Sequence, residues 1–155
     1  MDSFELTLKL IIPGLCFIIN VFCIAYSLGL NSLSKRNKAY IFYLIVVNCW
    51  IITDPLIFNL DLSSYQIHLI AQFRPIIWLP VGILFTNLVY RLTSREYDIY
   101  FKIYIIFYII FSLITLFSDL IIENFTYIEW YVESLPGPLF LPSIFLTIIL
   151  PSIHS

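Results

Sequence analysis

Polar residues interrupt this chain so rarely that its pattern is one of long apolar runs. Five stand out, at 8–30, 39–60, 67–92, 101–122 and 138–153. A bilayer core about 30 Å thick is crossed by about 20 apolar residues in a helix. The first four runs are therefore long enough to span, and the fifth, at 16 residues, reads as a helix cut short. Polar punctuation falls at 31–38, 61–64, 93–98 and 123–137. Runs such as 103–111 are apolar on both faces, which excludes the alternating strands of a membrane β-barrel. The acidic tail at 1–5 lacks the positive start of a secretory signal, and the run behind it exceeds a signal's apolar stretch of about 7–15 residues. The predicted fold is all-α, a polytopic transmembrane helix bundle forming a single membrane domain over 1–155.

Composition removes the soluble alternatives. Hydrophobic residues make up 61% and charged residues 12%, against about 45–50% and about 25% in soluble domains, and the mean hydropathy is +0.95. A soluble core of this size cannot hide that much apolar surface. A net charge of -2 leaves no basic stripe for nucleic acid, and four glycines leave little room for phosphate-cradling loops. The expected partner is the lipid bilayer, with no nucleic acid.

Charge also predicts orientation, because Lys and Arg concentrate at cytoplasmic span ends. Lys35, Arg36, Lys38, Arg91, Arg95 and Lys102 gather at one side of the five-span arrangement. Lys9 alone stands opposite, among the acidic Asp2, Glu5, Asp61, Glu123, Glu129 and Glu133. The N-terminus is thus expected outside and the end of the fifth run inside. Aromatic belts agree, with Tyr40, Tyr90, Tyr97 and Tyr100 at the inner interface and Tyr65, Tyr127, Trp130 and Tyr131 at the outer one.

Ionisable groups within spans are costly enough to count as functional candidates. Asp54 and Arg74 lie at matched depth, about 9–10 Å below the outer interface at 1.5 Å per residue, on consecutive antiparallel spans. They are expected to form an ion pair, serving either as a ligand pocket or as a structural clamp. Each precedes a proline, and Pro55 and Pro75 leave the carbonyls of Ile51 and Ala71 without their helical donors. Pro80 does the same to Ile76, so kinks are expected at all three prolines and span three should be bent. Asn20, Asn48 and Asn87 are expected to hydrogen-bond across helices.

Other chemistry is thin. His68 and His154 sit at opposite faces and cannot share a metal or a haem. Cys16, Cys23 and Cys49 have no zinc or redox spacing and read as small buried apolar residues. Asn124-Phe125-Thr126 fits a glycosylation sequon, relevant only in a eukaryotic secretory pathway. No catalytic motif occurs, so neither an enzyme nor a cofactor or metal is expected. The loop through Trp130 to Pro136-Gly137-Pro138 makes an ordered outer turn, either a lid over the helix ends or an ordinary re-entry turn.

The order of these features resembles the N-terminal seven-helix membrane sensor region of bacterial histidine kinases and related signalling proteins. The likeness rests on the basic loop Lys35-Arg36-Asn37-Lys38 entering a span with Trp50, on Arg74-Pro75-Ile76-Ile77-Trp78-Leu79-Pro80 leading to Phe85 and Tyr90, and on Pro136-Gly137-Pro138-Leu139-Phe140 entering the fifth helix. It implies a bacterial inner (plasma) membrane sensor of signal transduction, truncated after helix five. Such a fragment would lack its C-terminal signalling domain, and would meet a small ligand at the outer face, with a homodimer as a possible assembly. A small transporter or channel subunit is the alternative.

Overall fold

Helices occupy all five apolar runs in the computed structural model of the chain, which describes residues 3–29, 34–59, 63–128 and 131–155, and the side chains of 11–29, 34–53, 63, 65–66, 69–70, 72–122 and 135–155. Helix α1 covers Ser3–Gly29 and α2 covers Lys35–Asn59. The third run folds as two helices, α3 at Ser64–Trp78 and α4 at Val81–Thr93. Helix α5 is Ile99–Phe117 and stops short of the expected end at 122, because Ser118 turns extended and Ile122 opens a strand. The fifth run is one helical rod, Phe140–His154, in which α6 (Phe140–Ile144) and α7 (Leu150–His154) flank a π-helical turn at Phe145–Ile149.

Local chemistry sets the boundaries. Ser63 caps α3 through a capping box, its hydroxyl accepting from the Gln66 N–H while the Gln66 side chain accepts from the Ser63 N–H. Asp98 caps α5 by accepting from the Phe101 N–H at 2.9 Å. The bend expected in span three falls at Leu79-Pro80, between α3 and α4. Pro80 has no N–H to give to Ile76, and the Tyr108 hydroxyl of α5 reaches the Ile76 carbonyl instead, at 3.4 Å. A neighbouring helix thus covers the backbone group that the proline exposes.

One stretch departs from the all-α expectation. Residues expected to form a connecting loop instead form a two-stranded antiparallel sheet, β1 at Ile122–Ile128 and β2 at Tyr131–Pro136, with Ile128 opposite Tyr131 and a bulge between Ile122 and Asn124. These residues are rich in β-branched and aromatic types, which suit a pleated surface.

Helix α4 is central, touching α2, α5 and the C-terminal rod, while α1 packs on α2 at the periphery. Its contact with the rod is made by small residues: Gly82 meets Thr147 and Ile148, Thr86 meets Pro151, and Gly82, Thr86, Thr147 and Pro151 are all buried. A Cβ at Gly82 would lie 2.5 Å from Ile148 Cα, so the two backbones meet where no side chain intervenes. Thr86 Oγ1 donates to the Pro151 carbonyl at 2.8 Å across this seam. Behind it, Ile83, Tyr90, Phe101 and Tyr104 form one core cluster, and Leu79, Phe111 and Ile121 another.

The outside of the bundle is apolar. Ile12, Leu15, Ile19, Phe22 and Tyr26 of α1 are all more than half exposed, as are Leu92, Ile106, Leu141 and Ile153 elsewhere. Among the described residues three helices are long and apolar enough to cross a membrane, Ile11–Gly29, Gln72–Thr93 and Ile99–Phe117, the second passing through the bend. This outer surface is where the apolar excess of the composition resides.

Candidate functional site

Four of the residues that stand out in the sequence converge on one cavity. Arg74 and Trp78, one helical turn apart on α3, share its wall with Trp50 of α2. Phe140, Ile144 and Ile148 form a stripe on the C-terminal rod opposite them, and Ile122 at the start of β1 lies at one side. The space holds about 330 Å³, at the lower end for a small-molecule site. Trp78 and Phe140 meet edge to face, ring centres 5.9 Å apart. A guanidinium in an aromatic and aliphatic box suits a guest with an apolar body and an anionic or carbonyl head, since Arg offers five donors in a fixed fork.

At the other end of the rod is a polar cluster. His154 Nε2 lies 2.8 Å from Asp98 Oδ2. The ionised carboxylate has no proton to give, so the imidazole donates. The same oxygen accepts from the Tyr90 hydroxyl at 2.9 Å, and Oδ1 takes the Phe101 N–H. These bonds, that from His154 foremost, hold Asp98 down at about 2, against an ordinary 3.8. Tyr100 and Tyr104 flank the imidazole at 5.0 and 5.9 Å between ring centres. The sequence alone gives Asp98 no role and places His154 only at the face opposite His68. The available signal was local: an Asp three residues before a helical N–H is a capping pattern.

The remaining candidates fall variously. Pro75 is buried inside α3 and Pro80 stands at the start of α4. Gly137 is buried, its N–H donating to the Ile121 carbonyl at 2.9 Å, while the Leu139 N–H donates to Leu120 at 2.8 Å. Pro136-Gly137-Pro138 therefore ties the end of β2 back onto the α5–β1 connection, with both prolines exposed. Asp54 and Pro55 are on α2, but their side chains, like that of His68 and all of Trp130, lie outside the described residues. The Asn20 amide donates to Asn48 Oδ1 at 2.9 Å, joining α1 to α2, whereas Asn87 accepts from Tyr97 at 2.7 Å. The cysteines do not match the buried reading: Cys16 and Cys49 are exposed free thiols on the outer surface and Cys23 is half-buried. Among the described residues no three His, Cys, Asp or Glu side chains gather to hold a metal ion.

No protein-family model matches the chain, and no curated protein or solved structure is similar to it.

Proposed function

We propose that this chain is a non-enzymatic, membrane-embedded signal-input module, and that its signal enters at the cavity around Arg74. One observation carries the reading. The rod that walls the cavity with Phe140, Ile144 and Ile148 ends at His154, bonded to Asp98 in the α4–α5 turn. A guest that displaces Phe140 or Ile144 therefore acts on a helix anchored at the far end of the bundle. The π-turn at Phe145–Ile149 lies between the two ends, and such turns are frequent at functional positions. The five spans and outer N-terminus expected from the sequence, and the resemblance to the sensor region of bacterial histidine kinases, point the same way, from an outer-leaflet cavity to an inner-leaflet clasp.

The test uses the chain in detergent or nanodiscs. Ile144→Trp fills the cavity from the rod's own side and should shift the imidazole resonances of His154, one of only two histidines to assign. A bulky change at exposed Leu141, on the same rod but outside the cavity, should leave them in place. Unmoved His154 signals in a folded Ile144→Trp protein would refute transmission along the rod. Arg74-dependent solute flux across proteoliposomes would replace the input module with a transporter.

A further inference from the structure

Half of the chain's Lys and Arg residues, Lys35, Arg36, Arg91 and Arg95, line a single pocket of about 440 Å³ where the start of α2 meets the end of α4. Like charges so close repel one another, and among the described residues no carboxylate comes within 4.0 Å of any of them. Two rest against rings: the Arg91 guanidinium is 4.9 Å from the Tyr97 ring centre, and that of Arg95 is 5.2 Å from Tyr90. Those contacts orient the groups and leave their charge uncompensated. Ser94 closes α4 in the left-handed region, φ 57°, and the Arg95 N–H returns to the Tyr90 carbonyl at 3.0 Å. This turn folds Arg95 back toward α2. The α2 N-terminus adds its own positive end, with the Ser34 hydroxyl accepting from the Asn37 N–H at 3.2 Å.

The pocket is not isolated. Arg36 also lines a second space of about 460 Å³ between α1, α2 and α4, walled by Cys23, Tyr26, Tyr40, Leu88 and Leu92. One arginine thus stands at the junction of a cationic cup and an apolar crevice running along the helices. A soluble phosphate would use the cup alone, whereas a phospholipid would use both. Basic pockets between transmembrane helices are suited to anionic headgroups.

We infer that this corner binds one anionic glycerophospholipid, its phosphate held by Arg36, Arg91, Arg95 and Lys35 and an acyl chain lying in the crevice beside Cys23. The site faces away from the Arg74 cavity and stands whether or not that cavity receives a signal.

Native mass spectrometry of the full chain, released from neutral detergent with dioleoyl phosphatidylglycerol or phosphatidylcholine added, tests it. A single phosphatidylglycerol adduct should dominate. Arg36→Gln and Arg95→Gln should each weaken it about five-fold, the factor expected for one basic residue at an anionic headgroup, and Lys102→Gln, an exposed cation outside the pocket, should not. Unmutated protein gives a second readout, since phosphatidylglycerol should shield Cys23 from a membrane-permeant maleimide while Cys16 on the same helix stays reactive. Equal binding of the two lipids, equal losses in Arg36→Gln and Lys102→Gln, or an unshielded Cys23 would overturn the proposal. Displacement of the adduct by millimolar inorganic phosphate would overturn the lipid in favour of a soluble anion.

Discussion

Gly82→Ala should weaken the bundle, although alanine is the better helix former. Its Cβ would fall 2.5 Å from Ile148 Cα and 2.6 Å from the carbonyl oxygens of Thr147 and Ile148. All three are backbone atoms, so no side-chain rotation relieves the clash. Ordinary contact begins at 3.4 Å, and going from 2.5 to 3.4 Å means that α4 and the C-terminal rod must part by about 0.9 Å. A rigid shift of that size would carry the Thr86–Pro151 hydrogen bond from 2.8 Å to about 3.7 Å, beyond bonding range. Overpacking costs about 1–3 kcal/mol, the lost bond about 0.6 kcal/mol, and the helix-propensity gain returns about 1 kcal/mol. The net loss is roughly 0.6 to 2.6 kcal/mol. Gly14→Ala is the matched control, because nothing lies within 4 Å of the Cβ it would add on α1; it should be neutral or stabilising by up to about 1 kcal/mol. Unfolding in mixed micelles compares the two directly. A Gly82→Ala protein as stable as Gly14→Ala would refute the close backbone contact.

Two further outcomes follow. The Asp98 carboxylate is depressed from 3.8 to about 2 in the folded chain, so its bonds stabilise the fold above the higher value and that contribution is lost as pH falls through the lower one. Melting followed down through this window should show a fall that Asp98→Asn removes, and an unchanged acid limb in the variant would show that the carboxylate is not what titrates. Asp54→Asn and Arg74→Gln should each lower thermal stability in detergent, since an unpaired intramembrane charge costs perhaps 2.5–3.5 kcal/mol, with the double variant recovering part of the loss; strictly additive losses would exclude the pair.

Much of the scaffold was readable because apolar runs and prolines act locally. Helices fall within the runs, the third run breaks at Pro80, and Asn20 finds Asn48. Trp50, Arg74, Trp78 and Phe140, scattered between positions 50 and 140 of the sequence, line one cavity from opposite sides. The hairpin at 122–136 escapes the hydropathy pattern because its Glu and Asn residues interrupt the apolar run, while its β-branched and aromatic residues favour strands. Asp98 and His154 are 56 residues apart, and no local pattern announces a bond that only the packed rod creates.

The exposed cysteines and the buried glycine seam have one physical cause. In water, burial follows hydrophobicity, so an apolar thiol in an apolar run reads as interior. In a bilayer the lipid is as apolar as the protein core, and helices associate through close packing and hydrogen bonds instead. Hydrophobicity then cannot say which face of a span turns inward. Cys16, Ile19 and Phe22 are as apolar as any core residue, yet face outward, while Thr86, Ser143 and Thr147 are fully buried. The better inward marker was small residues four apart, Gly82 with Thr86 and Ser143 with Thr147. Gly82 and Thr86 meet Thr147, Ile148 and Pro151 along the seam between α4 and the rod, and through that rod the Arg74 cavity is tied to Asp98. The residues that join the two ends of the molecule are thus among its smallest, and their importance lies in how closely they let two backbones approach.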